Sequence, residues 1–127
     1  MTPYDSISRP IEILYFEETA IGAEGVEAAF KKIYNASSIL RNAVDTWLND
    51  HPGQHIVIEY RPGDASSPLN SGHVFIDPAL IENTKYIDVN GQVRQMMFDA
   101  AIAHELGHGV AGFVDNWDWQ NPKGQTF

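Results

Sequence analysis

Val26, Phe30, Ile33, Leu40, Val44 and Trp47 recur at three- and four-residue steps, with Ser37 filling the place the pattern leaves open. That spacing sets one apolar stripe along a long helix. His51-Pro52-Gly53 ends it, because proline cannot continue a helix and glycine accepts the left-handed exit. A stripe of that length has to be buried, and burying it requires a second layer of structure. The chain has no cysteine, so disulfides and thiolate metal sites are excluded and packing alone must hold the layers together.

Short β-branched and aromatic runs supply the second layer. Ile11 to Phe16, His55 to Tyr60 and Gly72 to Asp77 read as strands, and Lys85 to Val89 as a fourth. Glu17 to Gly25 is a small polar connection. Arg61 to Ser71 holds two prolines, a glycine and three serines, and reads as a surface loop. Asn90-Gly91 makes a tight turn because both residues tolerate positive φ. Helical pattern resumes near Val93 and runs to about Gly109 or Gly112. The resulting order, β-α-β-β-β-α, predicts an α+β fold with helices on a small mixed or antiparallel sheet. A length of 127 residues fits one domain spanning 1–127.

Charge narrows the function classes. Lys+Arg is 8 and Asp+Glu is 17, a net charge of −9. Eight scattered cations make no basic face for nucleic acid or for an anionic membrane. A hydrophobic content of 43% is too high for a disordered acidic tail. The first ten residues lack the basic start and apolar run of a signal peptide, and no apolar stretch approaches the ~20 residues of a membrane span. The expectation is a cytoplasmic chain, one exported by a specialised secretion route, or a domain excised from a larger protein.

The chemistry is concentrated in Ala103-His104-Glu105-Leu106-Gly107-His108. Residues four apart share a helix face, so His104 and His108 can aim both imidazoles at one point. Glu105 flanks that point, where a carboxylate can take a proton from water. This is the H-E-x-x-H arrangement, two metal ligands and a general base on one helix. Composition alone would produce it about once in a hundred such chains, so context has to carry weight. Here two apolar segments, Met96-Met97-Phe98 and Ala100-Ala101-Ile102-Ala103, precede it, which predicts a buried helix that excludes water. Gly107 is a poor helix former beside a ligand, which points to a close backbone approach.

On these residues the chain resembles the zincin metallopeptidases. It looks most like the small effector and toxin peptidases of bacteria, including NleD-type effectors and Rhs-associated toxin domains. The resembling segment runs from about His73 to Asp115 and includes Ile76-Asp77-Pro78, Tyr86-Ile87-Asp88, Asn90-Gly91 and the motif followed by Gly112 and Asp115. The resemblance implies a catalytic Zn2+, which needs a third protein ligand and an open position. No glutamate follows His108, so the gluzincin ligand is absent. The metzincin spacing, glycine and then a ligand three residues later, survives as Gly112 and Asp115, displaced by one residue and with Asp in place of His. Asp118, at the distance aspzincins use, is the second choice. Related toxin domains carry a glutamate before an Asn-Pro pair, where this chain has Gln120 before Asn121-Pro122.

Zincins stabilise the oxyanion with a group opposite the base. Tyr86, His73 and Tyr60 are the available candidates, each with the competing reading of an ordinary strand residue. The strand Gly72 to Asp77 is either the edge that holds an extended peptide or a buried middle strand. Asp99 is either a hydrogen-bond acceptor for an imidazole or a solvated carboxylate. Trp117 and Trp119 could line a substrate pocket, pack a tail or meet a partner. His51 and His55 flank a turn and have no catalytic role. The expected activity is zinc-dependent endopeptidase cleavage of a protein or peptide substrate, with a cognate immunity protein as a second partner. The alternative is a degenerate zincin that binds metal or protein without turnover. The net charge of −9 suggests a cleft that favours basic peptide segments.

Overall fold

The computed structural model describes residues 2–7 and 10–113. It is a mixed α/β arrangement in which four helices accompany a small mixed sheet and a separate hairpin. β1 is Ile11–Leu14, α1 Gly22–Ala36, α2 Ser38–Asp50, β2 Ile56–Tyr60, β3 Ala65–Ser66 and β4 His73–Ile76. They are followed by α3 Pro78–Glu82, β5 Lys85–Ile87, β6 Val93–Gln95 and α4 Phe98–Gly109. Among the described residues no helix is long and apolar enough to cross a membrane.

The long stripe folds as two helices. Ser37 takes an extended backbone (φ −114°, ψ 111°), and its hydroxyl accepts a hydrogen bond from Leu40 N at 3.2 Å, so it caps α2. The polar residue in the stripe is therefore a break, because a serine side chain competes for backbone donors and favours a cap over a helix interior. Arg41 closes the joint by donating to the carbonyls of Tyr34 and Asn35 at the end of α1. The Tyr34 hydroxyl donates to Asp45 at 2.6 Å, and burial together with that carboxylate pushes the phenol pKa up to about 12.

The sheet order is β1-β2-β4-β3. β1, β2 and β4 are parallel, and only β3 runs antiparallel to its neighbour. Parallel neighbours need crossover connections, and α1 with α2 supplies the one between β1 and β2. Residues 61–71, read from the sequence as loop, carry the two-residue β3 on the way to β4. Ile11, Ile56, Ile58, Val74 and Ile76 share one face of the sheet. They join Val26, Phe30 and Tyr34 of α1, Val44 and Trp47 of α2, and Ala101, Ile102 and Leu106 of α4 in a single core.

The last helix starts later than its apolar pattern suggests. The Asn90-Gly91 turn returns the chain as β6, which pairs antiparallel with β5. Gln95 then anchors this hairpin, its amide donating to the carbonyls of Ile81, Glu82 and Thr84. The turn decides the outcome for Val93 to Gln95: Gly91 N donates to Asp88 O and Asp88 N to Gln92 O, so Val89-Asn90-Gly91 form a three-residue hairpin loop that sends the chain back as a strand.

Candidate active site on the last helix

α4 is buried, as its sequence demands: Ile102 and Leu106 are fully enclosed, and Gly109 is buried with them. At about 100° per residue, His108 lies about 40° from His104 around the helix and Glu105 about 100°. The three side chains thus occupy one arc, with Glu105 nearest the core. Glu105 is only 6% exposed, while both histidines are half-buried.

The imidazoles converge. Their Nε2 atoms are 3.2 Å apart and the rings stand at 87° to one another. Bonds of about 2.0–2.1 Å from one ion to both nitrogens would meet at about 100°, near the tetrahedral angle zinc prefers. His108 Nδ1 lies 2.8 Å from the carbonyl oxygen of Phe113. A carbonyl only accepts, so Nδ1 carries the proton and a neutral His108 presents a bare Nε2 lone pair. The donor pair therefore fits a metal ion. Among the described residues no third His, Asp or Glu joins it. Asp115 and Asp118 lie outside the described residues, as do Trp117, Trp119 and Gln120.

The carbonyl that holds His108 arrives through Gly112. This residue sits at φ +75°, a conformation that favours glycine, and an added Cβ would lie 2.6 Å from Asn70 Oδ1. The chain turns back there, and Phe113 N donates to Gly107 O at 2.8 Å.

The close backbone approach is at Gly109 and not at Gly107. A Cβ on Gly107 would meet only Phe113, at an ordinary 3.5 Å. A Cβ on Gly109 would run into Ser67 Oγ, whose hydroxyl donates to His73 O at 2.6 Å. Asn70 N and Gly72 N donate to the carbonyls of His108 and Gly109. Residues 67–72 therefore fix the end of α4 that bears the pair. The second glycine flanking His108 was the available signal for this anchor.

Other candidates fall elsewhere. His73 lies on the sheet face opposite the helices, stacked on Phe75 and 3.2 Å from Glu59 Oε1. Strand alternation puts it there, because Val74 and Ile76 take the core face. That removes His73 as an oxyanion donor for the pair. Tyr60 faces the core at the carboxyl end of β2, beside Phe16. The side chain of Tyr86 is outside what the structure describes. β4 is a middle strand between β2 and β3, so the edge strand of the sheet near α4 is β3.

Asp99 pairs with Lys32 of α1 at 2.8 Å and accepts a hydrogen bond from Ala100 N at 2.9 Å, so it does not serve an imidazole. The Lys32 hydrogen bond, opposed by partial burial, holds its carboxyl below the ordinary 3.8. A depressed folded-state pKa stabilises the fold above the unfolded value, and that contribution is lost as pH falls through the folded value. Asp99→Asn should therefore lower the melting temperature slightly at pH 7. The difference should shrink as pH falls from the ordinary carboxylate value through the depressed folded-state value, as read by thermal denaturation across pH. No family model matches this chain, and no curated protein or solved structure matches it.

Proposed function

We propose that the chain is a zincin-like, zinc-dependent endopeptidase that hydrolyses a peptide bond of a protein substrate, of the kind used as bacterial effectors or toxins. The observation that supports this is the convergence of His104 Nε2 and His108 Nε2 at 3.2 Å, with the buried Glu105 next on the same helix. His104, His108 and a carboxylate from Asp115 or Asp118 would hold the ion. Zinc bound there supplies Lewis acidity, which polarises a carbonyl and lowers the pKa of water. Glu105 takes a proton from the attacking water and delivers it to the leaving amine. Phe113 O keeps His108 in the ligating tautomer. The outer edge of β3, beside α4, offers unpaired backbone groups for an extended substrate.

The test is metal content of the full chain after reconstitution. Wild type should hold one zinc per chain, and His108→Ala should hold none. Asp115→Ala and Asp118→Ala compared in the same way should identify the third donor by loss of tight binding. A wild-type chain that takes up no more zinc than His108→Ala would overturn the reading and leave a non-catalytic interaction domain.

A further inference from the structure

A cavity of about 520 Å³ opens at the carboxyl ends of the parallel strands, bordered by the starts of α3 and α4. It lies at the end of α4 remote from the histidines, since the histidine end is tied to residues 67–72, which precede β4. Its lining is mainly apolar and includes Ile21, Tyr60, Ile81, Met97 and Phe98. Its volume falls within the ordinary range for ligand sites, about 300–1,000 Å³, and the carboxyl edge of parallel strands is where such sites form.

The charged groups at its walls are of one sign. Glu18 and Glu82 line the cavity, both are exposed, and neither side chain makes a hydrogen bond or ion pair among the described residues. Among the described residues no Lys, Arg or His lines it. Asp77 is also present but is already used: its carboxylate accepts from Gly63 N at 2.8 Å and from Ala79 N at 2.9 Å. Asp99 likewise occupies donor Ala100 N at the start of α4. An anion would therefore meet two free carboxylates and helix starts already served by their own side chains. A cation would meet those carboxylates and the aromatic rings of Tyr60 and Phe98, which can attract it through their faces. Met96 and Met97 add adaptable apolar walls.

From this charge and surface complementarity we infer that the cavity binds a peptide segment in which apolar and basic residues alternate, the apolar side chains entering the cavity and the arginines or lysines meeting Glu18 and Glu82. The site is separate from the histidine pair, and its occupancy does not depend on cleavage.

The experiment uses the full chain carrying Glu105→Gln, so that turnover cannot consume the probe. Fluorescence anisotropy is measured with a fluorescein-labelled Leu-Arg-Leu-Arg-Leu-Arg peptide at low salt. Peptides with glutamate replacing arginine, or with glycine replacing leucine, should bind at least tenfold more weakly. Glu18→Gln and Glu82→Gln should each weaken the Leu/Arg peptide about threefold, in line with exposed ion pairs, and together about tenfold. The double variant should also lose the salt dependence of binding. Met97→Ser should weaken the same peptide without changing that salt dependence. Melting temperatures of the two glutamate variants should match the parent, while Met97→Ser, which places a capping hydroxyl at the start of α4, should not fall below it. Unchanged affinity in the double variant, or equal affinity for the glutamate peptide, would overturn the inference. Equal affinity for the glycine peptide would do the same, since it would mean attraction to acidic surface without use of the cavity. Because only binding is read, any of these failures leaves the peptidase reading standing, and loss of zinc binding leaves this site standing.

Discussion

Glu105→Gln is expected to lower peptide-bond hydrolysis by about a hundred- to ten-thousandfold while the chain keeps its zinc. The amide has nearly the same shape as the carboxylate, so packing of this buried residue is retained. What it loses is basicity: glutamine cannot take the proton from water or pass it to the amine. The histidines are untouched, so the metal stoichiometry should equal that of the parent. Single-turnover cleavage of a peptide library, with zinc measured on the same samples, checks both halves. Hydrolysis at the parent rate would remove Glu105 from the mechanism. Loss of zinc together with activity would mean that Glu105 serves the fold of the site and not proton transfer.

Gly72→Ala should be the most damaging single methyl among the described glycines, costing about 3 kcal/mol or more. Two penalties coincide there. The residue sits at φ +69°, where an L side chain is strained, and an added Cβ would run into the ring of Trp47. Trp47 cannot withdraw cheaply, because it is 5% exposed and its indole N–H donates to Asn70 O at 3.2 Å. The same segment donates from Gly72 N to Gly109 O at 2.8 Å, so the strain reaches the end of α4 that carries His108. Gly53→Ala is the control. It has a similar φ of +82° with nothing within 4 Å of the added carbon, so it should cost only about 1 kcal/mol. Urea unfolding of the two variants separates conformational strain from collision. Equal losses would show that Trp47 yields.

Local rules made the helix bearing His104 and His108 legible, because a four-residue spacing has one geometric outcome on a helix. The strands Ile11–Leu14, Ile56–Tyr60 and His73–Ile76 were legible for the same reason, since β-branched runs bounded by turn residues have few alternatives. Ser37 marks the limit of local rules. Its side chain could occupy a gap in the stripe or cap a new helix, and the backbone it adopts depends on how α1 and α2 turn to meet α4 and the sheet. Val93 to Gln95 show the converse, where the Asn90-Gly91 turn outweighed an apolar pattern that extended too far upstream.

His104, Glu105 and His108 on one buried helix, the apolar strands and the absence of any thiol follow from the residues alone, because periodicity and composition act over a turn or a strand. The parallel order β1-β2-β4, the place of β3 at the edge, the face to which His73 points and the locking of His108 by Phe113 O were decided only in three dimensions. Each depends on partners far apart in sequence, such as Gly72 with Trp47 or Gly109 with Ser67. A one-residue change in register would turn His73 toward the core, and nothing local to that strand forbids it. The helices that had to be buried on one face of the sheet forbid it, by requiring Val74 and Ile76 there instead.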